Sequence, residues 1–260
     1  MAEQEYGICR VAIAPLRAEG SDRAEIASQL LFGEEVEVLQ KAGAWWLVKG
    51  TYEGYEGWVD FRQLGGISTA PMPASQTSYL VPAGLSNIIT AEDGSSYYLL
   101  SGSRLPNYAD GSCQIGDQVF TVSFEPVLVD FERPSQNVEQ LAKFYLNAPY
   151  LWGGRTLFGI DCSGFVQIVH KLMGVKLLRD ASQQALEGEV VDFLASARLG
   201  DVAFFDNAEG KITHVGILLS NKEIIHSSAK VKIDPIDDQG IFSKELNKYT
   251  HHLRIIKRYI

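Results

Sequence analysis

"GIDCSGF", residues Gly159–Phe165, holds one of only three cysteines in a chain of 260 residues. An acid and a serine flank it, and glycines stand on either side. Two readings compete: a buried structural thiol, or a nucleophile presented on a tight turn at a helix start. The following stretch, "CSGFVQIVHKLMGV", has Phe165, Ile168, Val169 and Leu172 at helical intervals, and Gly174 ends the run. Cys162 then falls in the first turn of a helix with Asp161 as its N-cap. Unpaired backbone N–H groups and the positive end of the helix dipole favour a thiolate there. The Cys162 N–H is placed to donate to a developing oxyanion. Gly159 and Gly164 allow a tight turn and a close approach of substrate backbone.

A nucleophilic thiol needs a base, and the chain has five histidines. His170 lies eight residues on along the same helix, about 12 Å away, and is excluded. His251 and His252 sit in a polar, charged turn near the end and read as exposed residues. His214 and His226 are different, because both lie inside apolar strands, "ITHVGILL" and "EIIHSS". A hairpin centred on Ser220 would set residues 214 and 226 directly opposite, with β-carbons about 5 Å apart. One ring would take the thiol proton and the other would orient it. A one-residue slip would put them on opposite faces. Zinc accepts the same three side chains, but no fourth ligand is marked by spacing. Neither a metal nor a cofactor is expected.

The helix read from Cys162 has a neighbour. "SQNVEQLAKFYLNAPY" places Val138, Leu141, Ala142 and Tyr145 on one helical stripe, with Ser135 as N-cap and Pro149 as stop. Strands follow in "DVAFFDN", "KITHVGILLS", "KEIIHSS" and "LRIIKRYI". Helices first and antiparallel strands afterwards make an α+β domain over 131–260. The preceding half is all-β. Short strands punctuated by glycine fill 1–66 and read as a small barrel. The stretch "WWLVKGTYEGYEGWVDFRQL" resembles the closing strands of bacterial SH3-like domains. Residues 67–77, rich in Pro, Ser, Ala and Thr, read as a linker. Residues 78–130 read as a second β unit, SH3-like but weakly marked.

The bulk numbers exclude several classes. A net charge of −9 with no Lys/Arg cluster argues against nucleic acid. No stretch approaches 18 apolar residues, so no membrane span is expected. The cysteines Cys9, Cys113 and Cys162 are odd in number and widely spaced, without the pattern of a disulfide framework. The start "MAEQEYGICR" has no basic or apolar run of the export kind. The expectation is a cytoplasmic monomer, or a periplasmic or cell-surface one if the N-terminus was trimmed.

"PYLWGGRTLFGIDCSGFVQIV", followed by "LGDVAFFD", "ITHVGILL" and "IIHSS", resembles the NlpC/P60 cysteine peptidases, papain-like α+β hydrolases that cut cell-wall peptides. The likeness covers about residues 136 to 258. It implies Cys162 as nucleophile, His214 as base and His226 as the orienting residue. With "APLRAEGSDRAEIASQLLFGE" near the start, the domain order resembles the γ-D-glutamyl-L-diamino acid endopeptidases of murein peptide recycling. These cut between γ-D-Glu and the diamino acid when a free L-Ala leads the peptide. The resemblance further implies that Tyr150 binds substrate beside the nucleophile, that Asp161 and Ser163 hold the L-Ala–γ-D-Glu end, and that Asp180 contacts the diamino acid. Asp180 also reads as a helix cap before "ASQQALEG". From the SH3-like domain, Glu19 would pair with the substrate amine beside Tyr55, with Glu25 and Tyr52 as near alternatives. Gly20 stands where the pattern has Pro. The other readings are an amidase or acyltransferase on the same fold, and a non-catalytic wall-binding protein.

Overall fold

The structure is a computed structural model that describes residues 4–73 and 75–260. The first three residues of the expected barrel and Ala74 of the expected linker lie outside the described residues. The chain forms two compact units, Met1–Arg133 and Pro134–Ile260.

In the first unit, seven strands make one antiparallel sheet: β1 (Glu5–Cys9), β2 (Ile13–Arg17), β3 (Ile26–Leu31), β4 (Glu35–Ala42), β5 (Trp45–Gly50), β6 (Glu56–Asp60) and β7 (Leu64–Ser68). Their order is β3-β2-β6-β5-β4-β1-β7. Leu30 of one edge strand and Leu64 of the other share a core with Leu16, Val36, Val48 and Val59, so the sheet curls into a small barrel. After it come β8 (Thr77–Leu80), β9 (Ile88–Ala91), β10 (Ser96–Tyr98), β11 (Ser112–Ile115), β12 (Gln118–Val122) and β13 (Val127–Asp130). Strands β9 to β12 form a four-stranded sheet, and β8 pairs with β13. Val81, Ile89, Phe120 and Val122 pack in one cluster with Ile8 of β1 and with Phe32, in the turn after β3. The Pro/Ser-rich segment between them is held down. Met72 packs against that cluster, and its N–H donates to the Glu35 carboxylate. Composition marks such a segment as a linker, but one apolar side chain is enough to pin it.

The second unit opens with α1 (Val138–Phe144). Its buried stripe is Val138, Leu141 and Ala142, with Tyr145 fully buried beyond it, as the spacing predicts. The cap is Asn137 rather than Ser135, whose hydroxyl donates to the Asn137 side chain at 2.7 Å. The helix stops five residues short of Pro149, where its apolar stripe is exhausted. A two-stranded hairpin, β14 (Arg155–Thr156) and β15 (Gly159–Ile160), then leads into α2 (Cys162–Met173). All twelve residues of α2 are buried, and left-handed Gly174 ends it. The four-residue α3 (Ala181–Gln184) and strand β16 (Glu189–Val191) follow.

Six strands complete the unit: β17 (Val202–Asp206), β18 (Ile212–Leu218), β19 (Glu223–Ser228), β20 (Lys230–Asp237), β21 (Gly240–Ser243) and β22 (Lys248–Arg258). They pair in sequence, and β22 pairs with both β17 and β21, so the ring closes. Side chains alternate between its inner and outer faces. Ala203, Phe205, Leu218, Ile224, Ile236, Ile241 and Ile256 form the apolar interior. Register carries the same face to His214 (opposite Phe205), His226 (opposite Gly216) and His251 (opposite Ile241). Helix α2 packs against β18 and β19.

The β18–β19 register differs from the sequence expectation. Gly216, not His214, lies opposite His226, and Ile217 lies opposite Ile225. The connection spans four residues, Leu219 to Lys222, with Leu219 N–H donating to Glu223. The shift is two residues, so both histidines keep the same face and meet diagonally. Gly216 makes room for this. A β-carbon there would sit 2.8 Å from His226 Cβ and 2.8 Å from Ile224 Cδ1. Gly216→Ala therefore forces β18 and β19 apart. It is expected to cost about 1–3 kcal/mol and to lower the melting temperature by roughly 3–10 °C, measured by thermal denaturation. An unchanged melting temperature would show that the strands part freely there.

Candidate active site

The turn before Cys162 is built around one buried carboxylate. Asp161 caps α2 by accepting from Gly164 N at 2.7 Å, and it accepts from Gly153 N at 2.9 Å. Arg179 pairs with it through two N–H donors, at 2.5 and 3.1 Å. Ser163 donates to the same carboxylate at 3.3 Å and accepts from Arg179 at 2.9 Å. Glycine is needed at 164, because a β-carbon would lie 2.3 Å from the Gly154 carbonyl oxygen. Ser227, next to His226, donates to the carbonyl of Ile160 at 2.8 Å. That bond ties the strand of the second histidine to the turn that presents the thiol.

Cys162 is 8 % exposed. Backbone N–H groups of Ser163 and Val215 point at its sulfur, so the thiol lies beside the residue that follows His214. The thiol is not pre-ionised. Burial pushes it up to about 12, the Asp161 charge adds to this, and the N–H groups and Arg179 only partly offset it. The helix-start expectation of a thiolate fails because desolvation outweighs the dipole.

The imidazoles form a chain. His214 Nε2 lies 2.8 Å from His226 Nδ1, and His226 Nε2 lies 3.2 Å from Asp234 Oδ2. Burial lowers the pKa of both rings, His214 well below 6.5. Burial raises Asp234, but its contacts with His226 and Lys232 outweigh that and hold it below the usual carboxylate range. Asp234 is thus an acceptor and takes the His226 Nε2–H. His226 Nδ1 then accepts from His214 Nε2–H. His214 Nδ1 is left unprotonated, which is the state a base requires.

Tyr150 is 36 % exposed. Burial and then the nearby Cys162 push its hydroxyl up to about 12, which places it beside the thiol. Asp161 and Ser163 flank Cys162, with their side chains engaged by each other and by Arg179. Asp180 is the N-cap of α3, where the Gln183 side chain accepts from its N–H at 3.1 Å. Burial raises its carboxyl. Glu19 and Tyr55 belong to the first unit. Glu19 is exposed in the loop after β2, and Tyr55 is half-buried before β6. Among the described residues, no group of three His, Cys, Asp or Glu side chains is arranged to hold a metal ion.

Two residues of the histidine cluster escape a reading of the sequence. Asp234 sits in "KVKIDPID", where Pro235 breaks the look of a strand. His251 is not in an exposed turn. It is half-buried on β22, and its ring stacks on His214 with centroids 4.0 Å apart. The strand read from "LRIIKRYI" begins earlier, at Lys248, because β17 and β21 pair with the polar run "KYTHH".

Residues 147–251 match the family model described as the NlpC/P60 family, and residues 16–64 match the bacterial dipeptidyl-peptidase SH3 domain. A γ-D-glutamyl-L-lysine dipeptidyl-peptidase of Bacillus subtilis is 30% identical over 238 residues, covering 85% of this chain and 79% of that one. A protein of the same name from Bacillus cereus is 28% identical over 250 residues, covering 83% and 72%. The crystal structure of an NlpC/P60 family protein from Bacillus cereus shares the fold, with a TM-score of 0.79 at 21% identity over 98% of this chain and 99% of that one. The chain belongs to the NlpC/P60 family of cysteine peptidases, a papain-like α+β domain preceded by a bacterial SH3-like domain.

Proposed function

We propose that this enzyme hydrolyses the amide bond between γ-D-Glu and a diamino acid in cell-wall peptides that begin with a free L-Ala, and that it serves peptidoglycan recycling. The observation that carries the reading is the hydrogen-bonded chain His214–His226–Asp234, with the N–H of the neighbouring Val215 directed at the Cys162 sulfur, in a chain similar over most of its length to two γ-D-glutamyl-L-lysine dipeptidyl-peptidases. The buried, unbridged thiols of Cys113 and Cys162 agree with a reducing, cytoplasmic setting, where released peptides rather than intact wall are the substrate.

The steps follow from the hydrogen-bond chain. The thiol proton passes to His214 Nδ1 as sulfur attacks the γ-carbonyl carbon. The oxyanion accepts from the Cys162 N–H, assisted by Tyr150. His214 returns the proton to the departing amine, the C–N bond breaks, and a thioester remains. Water, deprotonated by the same ring, then releases the acid and the thiol. His226 and Asp234 keep the tautomer fixed throughout. The family resemblance supports Asp161 and Ser163 as contacts of the L-Ala–γ-D-Glu end, Asp180 as a contact of the diamino acid, and Glu19 with Tyr55 as contacts of the amine.

Incubation with L-Ala-γ-D-Glu-diaminopimelate and its lysine counterpart, followed by product mass, tests the reaction. L-Ala-γ-D-Glu and the free diamino acid are expected. Cys162→Ala should lower the rate by a factor of about 10⁴ or more without altering the fold. Equal rates in the variant would sink the proposal, and cleavage before L-Ala would make the enzyme an amidase.

The pH profile follows from the neutral resting pair. A base must be unprotonated to act, and burial keeps His214 and His226 neutral to pH values below 6.5. The acid limb of kcat/KM should therefore have its midpoint below 6.5. Alkylation of Cys162 by iodoacetamide should keep rising above pH 9, since the thiol is held up to about 12. A limb at 7, or an alkylation plateau at neutral pH, contradicts the neutral pair.

Glu19→Gln should raise KM for free-amine tripeptides about 10- to 100-fold, the loss of one charge-assisted contact. N-acetylated peptides should show no such difference between wild type and variant. Equal losses on both substrates would remove Glu19 from the amine site.

A further inference from the structure

Strand β22 brings a third imidazole into the chain of two. The His251 ring lies almost flat on His214, with centroids 4.0 Å apart and planes 24° apart. It meets His226 edge-on at 5.8 Å and Phe205 at 5.9 Å. His226 is itself edge-on to His214 at 5.1 Å. The His214 ring is thus held in two ways. His226 fixes it in its own plane through the 2.8 Å hydrogen bond, and His251 covers one face. Phe205, tilted at 5.8 Å, is its third aromatic neighbour. His251 is anchored in turn, because its Nδ1 lies 2.9 Å from the Thr250 hydroxyl.

We propose that His251 is a positioning residue for hydrolysis: stacked on His214, it fixes the plane of the base and lies against the imidazolium that forms when the Cys162 proton reaches Nδ1. A hydrogen bond to one edge leaves a ring free to tilt about that bond. A flat aromatic neighbour at van der Waals distance removes that freedom, and its π face is favourable to a cation. The groups facing His251 are His214 on β18, His226 on β19, Lys232 and Asp234 on β20, and His252 on its own strand. Phe205 on β17 and Ile241 on β21 carry no charge. Burial keeps His251 itself neutral, down to about 4, so it does not repel a charged His214 at working pH.

This inference rests on Cys162 and His214 being nucleophile and base. The experiment compares His251→Ala and His251→Phe with wild type on the L-Ala-γ-D-Glu-diamino acid peptides, and reads kcat, KM and melting temperature. His251→Ala, which removes the ring, should lower kcat about 10- to 100-fold with KM changed less than about threefold. His251→Phe, which restores a flat ring, should recover kcat to within about fivefold of wild type. A kcat unchanged in His251→Ala overturns the inference. So does a loss of kcat in both variants that tracks a fall in melting temperature, which would mark His251 as structural only. If wild type itself shows no Cys162-dependent hydrolysis, the underlying reading has failed instead, and the two failures stay distinct.

Discussion

The Asp161 carboxylate is the point on which the catalytic unit turns. It accepts from Gly153, Gly164, Ser163 and Arg179, with its residue only 5 % exposed. A buried carboxylate without partners would be expelled or protonated; with a bidentate guanidinium and two backbone donors it becomes a fixed post. Three separate segments converge on it: the glycine loop at 153–154, the first turn of α2, and the segment that carries Arg179. Their common position is the position of Cys162. Removing Arg179 would leave the buried Asp161 carboxylate without this counter-charge, and breaking a buried pair costs about 3–5 kcal/mol. The turn that presents the thiol is therefore rigid by electrostatics, not by loop shortness.

The closed ring of strands then supplies the second constraint. Its interior is apolar at one end, around Leu218, Ile224 and Ile256, and polar at the other. His214, His226, His251, Lys232 and Asp234 share that polar end. In so small a volume, burial allows few charges. One anion, Asp234, is held by Lys232 at 3.4 Å and by His226. The three imidazoles stay neutral, and each neutral ring has one donor and one acceptor. That restriction converts the two contacts into a single direction of hydrogen bonding, from His214 through His226 to Asp234. The chemistry of the site is in this sense a consequence of packing polar groups into a barrel with a fixed number of protons.

Much of this was legible in the sequence, for identifiable reasons. Helical periodicity gave α2, and the acid before Cys162 gave its cap, because both depend on residues a few positions apart. The pair His214 and His226 stood out because imidazoles are costly inside apolar strands. The register was misjudged by two residues, since the turn "LSNK" does not reveal how many of its residues stay in the ladder. The error was harmless for the face and wrong for the neighbour: Gly216, not His214, opposes His226. Asp234 and His251 were invisible for a different reason. Their burial comes from paired strands, β19 and β21 for Asp234 and β17 and β21 for His251, and their own surroundings, "KIDPID" and "KYTHHLR", are polar. Local pattern cannot report a ring closure that only β21 and β22 complete.

The neutral state of the thiol changes how the parts must be weighed. A thiolate–imidazolium pair at rest would need the polar end of the barrel to solvate a cation permanently. Burial disfavours both partners of such a pair, pushing Cys162 up to about 12 and His214 below its ordinary range. The two shifts act in the same sense, so both favour the proton on sulfur over the ion pair. In the proposed reaction the carbonyl oxygen of the bound amide would become a new anion beside the Cys162 N–H. Only then is an imidazolium on His214 balanced by a nearby negative charge. On the proposed assignment, the same burial that holds the thiol protonated would couple its activation to the binding of a peptide. A buried neutral thiol also reacts slowly with oxidants, which attack the thiolate. The features that look unfavourable for catalysis in the empty site, a raised thiol and a lowered base, are what one would expect of a peptidase selective for a bound peptide over stray electrophiles.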